Sequence, residues 1–408
     1  MKDVCVIGAG ASGLVAAKHA LELNLNVTVY EQTDKIGGIW VYTDETNCHT
    51  SMYFNLKTNL TKETMMFEDF PYPEHLPSFL TSQNILDYLV KYAEGLPIKF
   101  NHEVIQVSRE AEKWKVAVRS NDSISYHLYD IIFVCNGHFF DPRIPLDYGR
   151  FKGRILHSHD YRRASEFRDQ KVLVIGAGPS GIDVALQLAE QNAQVTMVSK
   201  KAAYKDTPTN IVQIVEHVEE ITEDGAITTS GIRIENIDTI IFCTGYNIKF
   251  PFLSSDIIEI KADNQMLSPL YEHAVHVRYP KSLYFIGLFN LSITFPLFEL
   301  QVRMALSFAL EKTPLPSQDE LDSFEAKWMK HQAEHGLDER RFHELLGAQW
   351  EYAHRINEFS YRRYKSEYIE FLRKMLECIY GYRKKSHRTF RDKNYRVDLK
   401  NFTFELLQ

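Results

Sequence analysis

An α/β chain with two Rossmann-like dinucleotide-binding domains and a helical C-terminal extension is predicted by three observations. The stretch VCVIGAGASGLVAAKHALELNLNVTVYEQ, Val4 to Gln32, reads as buried strand, glycine turn, long helix and second strand. KVLVIGAGPSGIDVALQLAEQNAQVTMVSKK, Lys171 to Lys201, repeats that order. Each repeat is followed by a similar apolar strand, DIIFVCNG (Asp130 to Gly137) and DTIIFCTG (Asp238 to Gly245), and duplication is the simplest account. A lone G-x-G-x-x-G carries little weight. One that leaves a β-rich run and opens a helix, twice, stands in the context the fingerprint requires.

In each unit the glycines let the turn close and bring a pyrophosphate against the backbone N–H groups of the helix N-terminus. They are Gly8, Gly10 and Gly13 in the first unit, and Gly176, Gly178 and Gly181 in the second. The units differ at the end of the second strand, where Glu31 stands in one and Ser199 in the other. A carboxylate there accepts ribose hydroxyls and repels a 2′-phosphate, so Glu31 suits FAD or NAD. Ser199, with Lys200 and Lys201 beside it, suits the 2′-phosphate of NADPH, the alternative for the lysines being a solvated strand end. Two dinucleotides in one chain imply electron flow from NADPH to a flavin.

The 408 residues exceed one small core and leave room to bury a large cofactor. A net charge of −7 with both signs dispersed argues against a nucleic-acid partner, and the basic run Tyr382 to Arg388 reads as a solvated face. No apolar segment approaches the roughly 20 residues that cross a bilayer, so no membrane anchor is expected. The chain reads as soluble, cytoplasmic as it stands or secreted if a leader has been removed. Cys5, Cys48, Cys135, Cys243 and Cys378 show neither C-x-x-C nor metal-ligand spacing. No metal site and no redox-active cysteine pair is therefore expected.

Between the two units lies FKGRILHSHDY, in which Phe151, Gly153, His157 and Tyr161 fill the pattern F-x-G-x-x-x-H-x-x-x-Y. It closely resembles the fingerprint of class B flavin-dependent monooxygenases. Tyr161-Arg162 stands where the Baeyer–Villiger branch has Trp-Pro, which favours the flavin-containing monooxygenases proper. The resemblance extends through GGIW (Gly37 to Trp40), LKTNLTKETMMFEDFPYP (Leu56 to Pro73), CTGY (Cys243 to Tyr246) and FPLFELQVR (Phe295 to Arg303), with Thr61 where the family usually has proline.

That resemblance implies an enzyme that uses FAD, NADPH and O₂ to oxygenate a small-molecule amine or sulfide through a C4a-hydroperoxyflavin. The soluble insect branch, with its pyrrolizidine-alkaloid N-oxygenases, looks most similar, so N-oxygenation of a tertiary amine is expected. S-oxygenation of thioethers and an uncoupled NADPH oxidase releasing H₂O₂ are alternatives, and a non-enzymatic flavin-binding module is the reading from another class. Asn59 matches the family's asparagine near flavin and nicotinamide and carries the catalytic expectation, as a donor that does not titrate. Gly37, Gly38 and Trp40 are expected to line the flavin's approach, and Gln301 to match a glutamine near the isoalloxazine. His157 is expected to hold the domains in register rather than act as a base. The FAD domain is expected over 1–160 and 265–408, with the NADPH domain, 161–264, inserted. A homo-oligomer is left open. Trp328, Phe342, Trp350, Phe359 and Tyr368 recur on helices and read as core rather than as a substrate vestibule.

Overall fold

The computed structural model describes residues 1–200 and 204–407. Lys201 lies outside them.

The first glycine unit forms strand Asp3–Ile7, helix Ala11–Glu22 and strand Asn26–Tyr30. The two strands pair in parallel from Asp3↔Asn26 to Ile7↔Tyr30, and Ile131–Val134 pairs in parallel on the other side of Asp3–Ile7. Three short strands, Leu270–Tyr271, Val275–His276 and Leu283–Phe285, and the edge strand Ile98–Lys99 complete seven strands. The residues from 270 onward thus return to the first sheet. Val4, Cys5 and Val6 are fully buried, as a central parallel strand covered on both faces requires.

The second unit builds a separate five-stranded parallel sheet in the order Ile211–Val215, Gln194–Ser199, Lys171–Ile175, Thr239–Phe242 and Arg154–His157. This sheet takes in Arg154–His157, which lies before residue 161. Helix Pro179–Ala189 packs on it, burying Ile182, Val184, Ala185 and Leu188. Ile182, Val184 and Leu188 each contribute about 1.5–3 kcal/mol by their burial.

The C-terminal extension is helical through Phe295–Ala309, Gln318–Glu334, Gln349–Phe359 and Ser366–Lys385. It then departs from the expectation and ends in an antiparallel hairpin, Asn394–Asp398 with Thr403–Leu407. Ser78 fastens the hairpin to the first unit's loop: its N–H donates to Asn394 Oδ1 at 3.0 Å and its Oγ accepts from the Tyr395 N–H at 2.9 Å. Trp328, Phe342 and Tyr368 are core residues, with Trp350 and Phe359 packed against that core.

Helix Phe295–Ala309 is buried nearly all round, Glu299 and Arg303 included. Buried charges must be paired. Glu299 accepts from His19 Nε2 at 2.9 Å, Arg303 Nη2 at 2.6 Å, the Glu68 N–H at 2.8 Å and Tyr364 Oη at 2.6 Å. This one carboxylate ties the helix to the first unit's helix, to the FEDF loop and to the C-terminal extension.

Among the described residues no helix is long and apolar enough to cross a membrane, and no group of His, Cys, Asp or Glu is arranged to hold a metal.

Candidate active site

Helices Ser82–Tyr92 and Gln318–Glu334 begin with capping boxes, in which Thr81 and Ser317 satisfy the orphan N–H groups. The two helices that follow the glycine turns do not. Their N-caps are Gly10 and Gly178, neither of which offers a side-chain acceptor, so these N-termini present N–H groups to whatever anion approaches.

The glycine spacing has the same cause in both units. Gly8 sits at φ +101°, and a Cβ on it would fall 2.6 Å from the Cys135 carbonyl oxygen. Gly176 sits at φ +105°, and its Cβ would fall 2.4 Å from Cys243 O. A Cβ on Gly13 would stand 1.9 Å from Gly8 O, and one on Gly181 2.0 Å from Gly176 O. Only hydrogen fits at these four positions.

A cavity of about 450 Å³ opens over the first turn, within the ~300–1,000 Å³ usual for ligand sites. Gly8, Gly10, Glu31, Gly37, Gly38 and Trp40 are in its wall, and Gly13 lies behind Gly8. Glu31 is buried there. Its Oε2 accepts from the Ala9 N–H at 2.8 Å, and its Oε1 from the Thr33 N–H at 2.9 Å and Thr33 Oγ1 at 2.8 Å. The carboxylate therefore braces the glycine turn and keeps acceptor capacity for further hydroxyls.

In the second unit Ser199 closes strand Gln194–Ser199 and Lys200 is exposed beside it. Tyr204 Oη donates to the Ala177 carbonyl within the turn at 2.6 Å.

Gln301, expected near the flavin ring, is fully buried one layer behind the residues that line the cavity. Its Oε1 accepts from the Gly287 N–H at 2.9 Å and its Nε2 donates to Tyr352 Oη at 2.7 Å, so both ends of the amide are engaged. Gly287 is in the cavity wall, and Gln301 supports that wall from behind.

Between the units, Tyr161 is fully buried and donates to Gln187 Oε1 at 3.0 Å. Burial holds His157 down to about 4, so the ring is neutral, and its Nδ1 accepts from the His159 N–H at 3.1 Å. His159 Nε2 donates to Cys48 O at 2.8 Å. The buried Arg162 donates to the carbonyls of Glu45 (2.8 Å), Thr50 (3.1 Å) and His159 (2.6 Å). Glu45, Cys48 and Thr50 belong to the cavity wall, so the segment after strand Arg154–His157 is fastened directly to the first unit's site.

Asn59 stands in a half-buried loop outside that cavity wall. Arg391 donates to its Oδ1, to Thr58 O at 3.1 Å and to Asp183 Oδ1 at 2.8 Å. Asp183 also accepts from Tyr53 Oη at 2.8 Å. Sequence reasoning overlooked Arg391, Asp183 and Tyr53. The one local signal was an acid within the apolar run of helix PSGIDVALQLA.

The chain matches the "FMO-like: Flavin-binding monooxygenase-like" family model over residues 1–206 and 205–379. It belongs to that family. Its members use FAD and NADPH, and this flavin-binding monooxygenase-like chain is a flavin-dependent monooxygenase. It is 34% identical over 388 residues to the Arabidopsis thaliana "Flavin-containing monooxygenase FMO GS-OX5", covering 87% of this chain and 84% of that one. Among solved structures it is similar to the S-allyl-L-cysteine S-oxygenase from Allium sativum, with TM-score 0.88, 28% identity and coverage of 98% and 96% of the two chains. The similarity to Tmm from Pelagibacter sp. strain HTCC7211 has TM-score 0.86 at 27% identity, covering 100% of this chain and 96% of the other.

Proposed function

We propose that this flavin-dependent monooxygenase transfers one oxygen atom from O₂ to a soft nitrogen or sulfur nucleophile, with FAD in the cavity over the first glycine turn and NADPH at the second. The observation that carries the reading is the paired set of uncapped, glycine-lined helix N-termini whose second strands end differently, in a buried Glu31 and in Ser199-Lys200. Gly8, Gly10, Gly13 and Glu31 would hold FAD, with Gly37, Gly38 and Trp40 along its approach. Gly176, Gly178, Gly181, Ser199 and Lys200 would hold NADPH. The FAD domain is then 1–160 with 265–408, and 161–264 carries the NADPH site, strand Arg154–His157 serving as its edge.

Bound FAD, once reduced, supplies the activation of O₂. The chain's own task is to hold both dinucleotides, exclude water and set a few hydrogen bonds, and oxygen transfer to a soft nucleophile asks for no acid/base dyad. Asn59 supplies a neutral donor. Burial pushes the Cys135 thiol far above its ordinary range, which disfavours at that position the thiolate that disulfide exchange requires.

The S-oxygenase of Allium sativum makes a thioether the first substrate to try. N-oxygenation of a tertiary amine such as a pyrrolizidine alkaloid is the other arm, reached by the same chemistry. The FAD-loaded chain is mixed with NADPH and isotopically labelled O₂, and with a thioether or a pyrrolizidine alkaloid in turn. Products are read by mass spectrometry and H₂O₂ is measured in parallel. Incorporation of one labelled oxygen into the sulfide or the amine is expected. If all NADPH consumed returns as H₂O₂ with every substrate, the chain is an oxidase.

Cofactor choice is testable separately. Ser199→Glu combined with Lys200→Ala puts a carboxylate where a 2′-phosphate would sit and removes a cation. The rate of anaerobic flavin reduction per unit NADPH should fall by about 10–100-fold, the worth of charge-assisted hydrogen bonds, while NADH is affected less. Equal losses with both nucleotides would remove Ser199 and Lys200 from the 2′-phosphate site.

A further inference from the structure

We propose that Arg391 is a positioning residue for Asn59: it fixes the amide oxygen and so turns the NH₂ group away as a permanent donor. The inference rests on the reading of Asn59 as the donor beside the flavin.

Arg391 lies in the short turn Phe390–Asp392 of the C-terminal extension, 332 residues from Asn59. Its guanidinium lies over the Phe390 ring, 4.8 Å from the centroid. Nε donates to the Thr58 carbonyl at 3.1 Å, and Nη2 donates to Asn59 Oδ1 and, at 2.8 Å, to Asp183 Oδ1. A guanidinium has no acceptor, so the Asn59 atom that faces it must be the oxygen. The two amide hydrogens then point elsewhere. A free amide would sample both orientations, and the flipped one would set a lone pair against an electron-rich oxygen atom where a donor is needed.

The fixing is firm on every side. The side chains of Arg391 and Asp183 are 14% and 9% exposed, so the ion pair is little screened. Asp183 is held by Tyr53 Oη, and the Asn59 loop is pinned by the Thr58 N–H donating to Leu80 O at 2.8 Å and the Leu80 N–H donating to Thr58 Oγ1 at 3.0 Å. Asp183 belongs to helix Pro179–Ala189 of the second unit. One guanidinium therefore couples the orientation of Asn59 to the docking of both the second unit and the C-terminal tail.

The test compares full-length, FAD-loaded wild type with Arg391→Ala, Arg391→Lys, Asn59→Ala and the double variant Asn59→Ala/Arg391→Ala. Flavin content, flavin absorbance and thermal midpoint are read without turnover. The fraction of consumed NADPH that returns as H₂O₂ is read with substrate present. Arg391→Ala should keep its flavin and raise the H₂O₂ fraction by about five-fold, the worth of one net hydrogen bond. Arg391→Lys, with a point charge in place of the fork, should recover part of the loss. In the Asn59→Ala background Arg391→Ala should add nothing. An H₂O₂ fraction in Arg391→Ala equal to wild type, or an Arg391→Ala effect of full size on top of Asn59→Ala, would overturn the proposal while leaving Asn59 in place. If Asn59→Ala itself stays coupled, the reading of Asn59 fails instead. Should Arg391→Ala lose its flavin, Arg391→Lys decides: intermediate leakage supports positioning, and wild-type coupling rejects it.

Discussion

Gly181→Ala should give a yellow protein that NADPH bleaches about 100-fold more slowly than wild type. The added methyl group would stand 2.0 Å from the Gly176 carbonyl oxygen, a backbone atom that cannot swing aside, so the helix that starts after Gly178 must shift bodily. A misplacement of about 1 Å at a reacting pair costs on the order of 100-fold, and that is the expected fall in the rate of anaerobic flavin reduction. Its counterpart Gly13→Ala, 1.9 Å from Gly8 O, should purify without flavin. Flavin absorbance per mole of protein, measured before and after NADPH is added without O₂, separates the two results. Equal loss of flavin in both variants would mean that the glycine turns serve only folding.

The second large effect is on stability. Burial alone would raise the carboxyl of Glu299, but the hydrogen bond from His19 and the charge of Arg303 overcome it and hold the group down to about 2. A carboxyl depressed in the folded state contributes stability above its unfolded value near 4.3, and loses it as pH falls through the folded value. The thermal midpoint should therefore drop between roughly pH 5 and pH 2, with about 3 kcal/mol carried by this one group. Glu299→Ala leaves Arg303 buried without its nearest anion and should cost about 3–5 kcal/mol at pH 7. Glu299→Gln should be destabilised at pH 7 and show a flatter acid limb than wild type. An acid limb unchanged in Glu299→Gln would assign the acid sensitivity to other carboxylates.

What could be read in advance follows from where the physical cause of each feature lies. Gly13 and Gly181 were legible because their constraint is local: a carbonyl five residues earlier leaves no room for a methyl group, whereas Gly8 and Gly176 are pressed by the distant carbonyls of Cys135 and Cys243 and were read only through the fixed spacing of the fingerprint. The contrast between Glu31 and Ser199 was legible for the same reason, being a fixed offset along one strand, helix and strand. For Gln301, a residue type in a matching stretch does not say which face of its helix it occupies. That face points at Gly287 and Tyr352, behind the wall rather than in it. Arg391 was out of reach because its partners lie 332, 333 and 208 residues away, and nothing near it distinguishes it from the other cations of the tail. The terminal hairpin was missed although Tyr395 and Val397 alternate with polar residues, because so short a pattern follows a charged helix end.

Arg162 gives the segment after strand Arg154–His157 one further property. A single buried side chain collects carbonyls from its own neighbourhood and from residues 45–50, so the passage from the first sheet to the second is stitched to a loop more than a hundred residues earlier. The second unit is thus no freely exchangeable module. Grafting it from one family member into another must carry Arg162 and the 45–50 loop as a matched set, and recombination points chosen from the chain order alone, between Phe151 and Tyr161, cut through the joint they are meant to spare.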